Sequence, residues 1–91
     1  APSRGRNALH KAASYNKKDT KLIEFLLTHM SLNSINKKNG WRWTPLDYAY
    51  DDNDSPIRQE IIALLRLKGG KANWYDANGR VVGDGNGDLN H

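Results

Sequence analysis

Two apolar blocks organise the chain, Leu22-Ile23-Glu24-Phe25-Leu26-Leu27 and Ile61-Ile62-Ala63-Leu64-Leu65-Arg66. Each follows a shorter mixed segment: Asn7-Ala8-Leu9-His10-Lys11-Ala12-Ala13 before the first, Thr44-Pro45-Leu46-Asp47-Tyr48-Ala49-Tyr50 before the second. Leu9 and Leu46 align thirty-seven positions apart. Each block leads into a loop ending in Asn, at Asn36 and Asn73, with Asn39 or Asp76 three residues later. A period of this length marks a stacked structural unit. One unit reads as a short helix, a turn, a longer apolar helix and an extended loop. It occurs twice, and a third copy opens at Asp76-Ala77-Asn78-Gly79-Arg80 without reaching its helices.

The boundary residues predict helix ends. Thr44 before Pro45 is an N-cap followed by proline at the first helical position, with Asp47 placed to close a capping-box-like pair. Ser55 before Pro56 repeats the device, and Asp19 or Thr20 is placed to cap the long helix of the first unit. Gly69-Gly70 after Lys68 is a C-terminal stop, because glycine takes the left-handed conformation without a Cβ clash. Lys17-Lys18 and Asp51-Asp52-Asn53-Asp54 lengthen the turns between paired helices. The apolar blocks are nearly continuous, which predicts long helices buried on more than one side. The small Ala12-Ala13 pair and Ala49 suit short inner helices packed closely. Neither unit can bury its apolar face alone, so stacking is required.

The chain has 91 residues, 37% apolar and 26% charged, enough for one small domain and too few for two cores. Its apolar runs are too short to span a bilayer. With no cysteine, disulfides and thiolate zinc sites are excluded. Charge divides unevenly: residues 1–42 hold nine basic against two acidic side chains, residues 43–91 five against eight. Such asymmetry can steer an acidic partner or a nucleic acid to one end.

Thr44-Pro45-Leu46-Asp47-Tyr48-Ala49 resembles the ankyrin repeat's T-P-L-H-x-A. The run from Leu64 to Asn73 resembles its L-L-L-x-x-G-A-D-V-N, and Asn7 to Ala13 matches the first motif with substitutions at the Thr and Pro positions. Departures are Asp47 for the usual His, Arg42 where the finger glycine belongs, and Met30 or Ser31 near the expected helix-stop glycine. The resemblance implies an all-α solenoid of helix-turn-helix units joined by extended finger loops. Its repeats fall at about 7–38 and 39–75, with a partial third at 76–80, between an N-terminal flank (1–6) and a flexible Gly-rich tail (81–91). Two and a half units is short for such an array, so the chain is expected to be a segment, C-terminal, of a larger protein.

Catalytic and metal readings find little footing. The resemblance implies that His10 is structural, its ring nitrogens bonding loop backbone groups, while His29 complements a helix C-terminus. No Ser or Cys nucleophile has a locatable His–acid partner. The acidic run Asp51, Asp52 and Asp54 reads as a solvated turn. The tail Asp84-Gly85-Asn86-Gly87-Asp88-Leu89 resembles the start of a calcium loop but has Leu89 where glycine is needed and no closing Glu. The expectation is a non-enzyme without cofactor or metal.

The aromatic and basic residues of the fingers are the binding candidates. In ankyrin-like arrays the fingers and inner helices make a concave face, which here implies Lys11, Lys38, Trp41, Arg42, Tyr48, Trp74 and Tyr75 as partner-binding residues. Trp, Tyr and Arg dominate binding hot spots. The opposed reading is that Trp43 packs on the neighbouring loop and Trp74 covers an edge of the array. The implied function is a protein–protein interaction module binding a partner protein, intracellular and cytosolic. An Asn- and Lys-rich ankyrin segment also resembles those of bacterial effectors that recruit host targets. The alternatives are single-stranded RNA binding through finger aromatics and the basic half, or an intramolecular cap on an enzyme domain of the parent chain.

Overall fold

Asn7 and Thr44 open the two inner helices in one way. Asn7 Oδ1 accepts the His10 N–H at 3.0 Å, and Thr44 Oγ1 accepts the Asp47 N–H at 3.2 Å. Each satisfies one of the donors that a helix start leaves without an internal partner. At the second, Asp47 Oδ2 returns a bond to the Thr44 N–H at 2.8 Å, closing the capping box. The computed structural model describes residues 7–15, 20–51 and 56–89, the Tyr15 side chain excepted. Readings that rest on Arg4, Arg6, Lys17, Lys18, Asp19, Asp52, Asp54, Ser55 and His91 lie outside the described residues.

Among the described residues five helices form, with no strand beyond one isolated antiparallel bridge, Tyr75 to Val81. They are α1 (Ala8–Tyr15), α2 (Lys21–His29), α3 (Leu32–Ile35), α4 (Pro45–Asp51) and α5 (Pro56–Leu67). The chain is therefore all-α. Helix α1 packs on α2 and α4, and α5 packs on α4 and α2. Two helix pairs thus stack, short helix on short helix and long on long. The core between them holds Leu9, Ala13, Ile23, Leu46, Ala49, Ile61 and Leu65, all essentially inaccessible. Alanine at 13 and 49 keeps α1 and α4 close. Arg58 of α5 is also fully buried and donates to the Ser14 carbonyl of α1, tying the outer helix of one pair to the inner helix of the other.

Several helix ends differ from the sequence reading. Thr20 makes no side-chain cap; its hydroxyl donates to the Glu24 carboxylate at 2.9 Å instead. The long helices are not buried on more than one side. Leu22 and Phe25 of α2 are 51% and 60% exposed and Leu67 of α5 is 78% exposed, because each helix meets neighbours along one stripe only. The connection after α2 is not wholly extended either. Met30 takes an extended backbone and Ser31 caps the added turn α3, its Oγ accepting the Ser34 N–H at 3.2 Å. Where glycines are present the ending is tighter. Gly69 has φ +88°, the Gly70 N–H reaches the Leu65 carbonyl at 2.7 Å, and the Gly69 N–H reaches that of Arg66 at 3.1 Å. This pair of bonds is a Schellman motif, and the left-handed residue favours glycine.

Candidate partner-binding face

Two loops of the same construction stand between and after the helix pairs. In the first, Asn39 Oδ1 accepts the N–H groups of Trp41 and Trp43 at 2.9 and 3.0 Å. The Asn39 N–H donates to the Trp43 carbonyl, and the Arg42 N–H to the Asn39 carbonyl, both at 2.9 Å. In the second, Asp76 Oδ1 accepts from Asn78 and Arg80 at 2.9 and 3.0 Å, with matching bonds from Asp76 N–H to Arg80 and from Gly79 N–H to Asp76. A short side-chain acceptor that collects N–H groups two and four residues on fixes a tight turn. The fourth residue of each turn is left-handed, Gly79 at φ +80° and Arg42 at φ +66°. Arg42 thus holds a backbone conformation that L side chains adopt at a cost.

Trp43 is the hub behind the first turn. Its ring lies 5.0 Å from Tyr48, 6.3 Å from Trp74 and 6.0 Å from Tyr75, centroid to centroid, and Tyr75 lies 5.8 Å from Tyr50. Edge and offset contacts of this kind add to the burial itself. Trp43 therefore packs on the neighbouring loop. His10 secures the turn from below: Nε2 faces the Trp43 carbonyl at 2.8 Å and Nδ1 accepts the Asn7 N–H at 3.1 Å. A carbonyl only accepts, so Nε2 carries the proton. Asn39 Nδ2 donates to the Tyr48 hydroxyl at 2.6 Å.

Of the residues singled out in the sequence, Trp41 projects from the first turn, 51% exposed, with Arg42 and Lys38 exposed beside it in the chain. The Trp41 backbone is held from the next loop, because Trp74 Nε1 donates to its carbonyl at 3.3 Å. Lys11 is exposed on α1, and Tyr48 and Trp74 are half-buried. Tyr75 departs from the expectation of a surface anchor. It is buried, its ring packed on Trp43 and Tyr50 and its hydroxyl donating to Asp51 at 2.9 Å. Burial, and then the Asp51 carboxylate, push the Tyr75 phenol well above its ordinary range.

Two acids carry the electrostatics. Asp47 is fully buried under the second loop, accepting from the backbone of Asn73 (2.9 and 3.1 Å), Trp74 (2.9 Å) and Thr44 (2.8 Å). Burial raises its carboxyl above the ordinary value, against the pull of those N–H groups. Asp84 accepts from the Asn73 amide at 2.6 Å and from Arg42 at 2.9 Å, and these bonds lower its carboxyl. Asp88 accepts from Arg66 at 2.6 Å. The segment read as a flexible tail is thus engaged from 82 to 89, and its carboxylates are taken by protein cations and amides. In the sequence Asp84 and Asp88 carry only the discarded calcium-loop reading and Arg66 only its place in an apolar block, whereas Asn73 is placed at the end of a repeated loop.

Among the described residues no three His, Cys, Asp or Glu side chains are grouped to hold a metal, and no helix is long and apolar enough to cross a membrane. A shallow groove between α2 and α5 is lined by Thr20, Glu24, Glu60, Ala63, Leu64 and Leu67. It pairs an apolar floor with two glutamates and holds neither a nucleophile nor an imidazole. What the arrangement can do is present a rigidly mounted aromatic and neighbouring cations to another molecule.

Comparison with known families matches residues 4–40 to the ankyrin repeat. No curated protein and no solved structure matches the chain.

Proposed function

We propose, from the match of residues 4–40 to the ankyrin repeat, a unit that generally binds proteins, that the chain is a non-catalytic module that recruits a partner protein through its finger loops and inner helices. The helix pairs are read as two units, about 7–38 and 39–75, of a solenoid whose third begins at 76–80. Support comes from the bonds that recur at the same spacing: Asn7 and Thr44 at the helix starts, Asn39 and Asp76 in the fingers. The partner surface comprises Lys11, Lys38, Trp41, Arg42, Tyr48 and Trp74, with Tyr75 as support behind it.

The observation that carries this reading is Trp41. A half-exposed indole fixed on an Asn39-organised turn loses little conformational freedom on binding, which is what makes aromatic residues effective anchors. Its neighbours Lys38 and Arg42 favour a partner that brings carboxylates to an apolar contact.

The test is capture of partners with and without nuclease, followed by affinity measurement on the purified partner. Trp41→Ala is compared with Phe25→Ala, which removes an equally exposed aromatic from α2, away from the fingers. A protein that survives nuclease, loses at least tenfold in affinity with Trp41→Ala and binds Phe25→Ala normally supports the reading. Loss with Phe25→Ala alone overturns it, and capture abolished by nuclease transfers the face to RNA.

A further inference from the structure

Asn36 and Asn73 stand thirty-seven positions apart and end equivalent loops. Asn36 reaches forward to the next unit: its Nδ2 donates to the Gly69 carbonyl at 3.0 Å and its Oδ1 accepts the Lys71 N–H at 2.7 Å. Asn73 has no helical unit after it among the described residues, yet its amide is equally satisfied. Nδ2 donates to Asp84 Oδ1 at 2.6 Å and Oδ1 accepts the Gly85 N–H at 3.1 Å. Residues 84–85 meet Asn73 as residues 69–71 meet Asn36.

The backbone continues the same substitution. Val82 and Gly83 N–H donate to the Trp74 carbonyl at 2.8 and 3.3 Å, Gly87 N–H to Asn73 at 3.1 Å, and Leu89 N–H to Ala72 at 2.9 Å. The segment runs antiparallel to residues 72–74 and satisfies three successive carbonyls that the edge of the stack would otherwise leave open. Gly87 makes this approach possible. A Cβ there would sit 2.6 Å from the Tyr75 carbonyl oxygen and 2.8 Å from that of Ala72, both backbone atoms that cannot turn aside. Two ion pairs fasten the segment at its sides, Asp84 to Arg42 and Asp88 to Arg66. Arg66 also donates to the Tyr50 hydroxyl at 3.1 Å, so the second clasp reaches both helices of the pair.

We propose that residues 82–89 are a strap that closes the edge of the second unit, taking the place a further helical unit would take. The placement rests on the two-unit reading above; the strap's own bonds do not. Because Asp84 holds Arg42, the strap also restrains a cation of the proposed partner face, and a carboxylate arriving there competes with Asp84.

The test uses the full chain. Gly87→Val forces the strap off, while Asn86→Ala alters an exposed position of the same segment and serves as the control. The expected result for Gly87→Val is a midpoint of thermal unfolding lower by about 5–10 °C. The amides of Gly85, Gly87 and Leu89 should lose protection from hydrogen exchange, while those of Asn73 and Trp74, bonded to Asp47, stay protected. The double variant Asp84→Ala/Asp88→Ala, which adds no bulk, should shift both readouts the same way by less. Unchanged melting in Gly87→Val, with or without loss of protection, overturns the strap.

A second chain carries a copy of residues 39–75 inserted between Tyr75 and Asp76. The strap then follows the inserted loop, and its three amides should stay protected while the melting temperature rises. An insertion chain that does not melt cooperatively overturns the unit reading, whereas unprotected strap amides in a folded one overturn the interchange of strap and unit.

Discussion

His10 and Asp47 occupy equivalent positions on the two inner helices and fasten them to the following loops with bonds of opposite polarity. His10 Nε2 donates to the Trp43 carbonyl at 2.8 Å, whereas Asp47 accepts the N–H groups of Asn73 and Trp74 at 2.9 Å. The two partners lie at different places in their loops: Trp43 corresponds to Arg80, while Asn73 and Trp74 correspond to Asn36 and Lys37. The carbonyls of Asn73 and Trp74 are taken by Gly87 and Val82 and their N–H groups by Asp47, so strap and inner helix hold this loop from opposite sides.

Asp47→Asn should destabilise the fold by about 1–3 kcal/mol, because an amide nitrogen then faces N–H donors that have no other buried acceptor. Helical content should survive, and urea unfolding measures the loss. Asp47→His should also lose stability, since one imidazole nitrogen cannot serve the N–H groups of both Asn73 and Trp74. A variant as stable as the parent would show that the inverted bonds are dispensable.

Arg42 makes a second contrast. At φ +66° it is strained where Gly79 is not. Arg42→Ala keeps the strain and Arg42→Gly relieves it, so the alanine variant should be less stable than the glycine variant by about 1 kcal/mol. Both lose the bridge to Asp84, which lies at the exposed surface and is screened by salt. If Arg42 serves the partner face, both variants bind more weakly even though their stabilities differ, and that separation is the outcome to look for.

Much of this was legible in the sequence, and the reason is locality. The Thr44–Asp47 box, Pro45 and Gly69-Gly70 act within a few residues of themselves, so pattern alone places α4 and the end of α5. The spacing of Leu9 and Leu46 exposes the unit. What was not legible depends on distant partners. Residues 82–89 look like a linker because their glycines are read for freedom, whereas Gly87 is needed for close approach to Tyr75 and Ala72. Tyr75 looks like an anchor because its loop mirrors the finger that carries Trp41, whereas its ring packs on Trp43 and Tyr50, partners distant in the sequence.

Acid should loosen the strap before the helices. Asp84 is lowered first by the Asn73 amide and then by Arg42, and Asp76 by the Arg80 backbone. A depressed carboxyl contributes stability in full above its unfolded value, near 3.9, and loses it as pH falls through the folded value. Asp47, raised by burial, has the opposite sign: its contribution is full below that value and declines as pH rises through the folded one. Following the Gly85 and Gly87 N–H resonances from pH 6 downward should therefore show strap release in acid, and Asp84→Ala should remove most of that transition. Release that is unaltered in Asp84→Ala would place the titration elsewhere.

Trp41 and Trp43, two residues apart, should separate binding from folding. Trp43 sits among Tyr48, Trp74 and Tyr75 and presents its carbonyl to His10, so Trp43→Ala opens the aromatic cluster that joins the two loops. A loss of about 2–4 kcal/mol is expected, somewhat below that of a fully buried tryptophan. Trp41 contributes its carbonyl to Trp74 through the backbone, which alanine retains, and its indole is half in solvent. Trp41→Ala should leave stability within about 0.5 kcal/mol of the parent. Denaturant unfolding of the two variants, beside their affinities for the captured partner, distinguishes an anchor from a strut. A Trp41→Ala variant destabilised as much as Trp43→Ala would mean that the exposed indole belongs to the fold, and the partner face would lose its central residue.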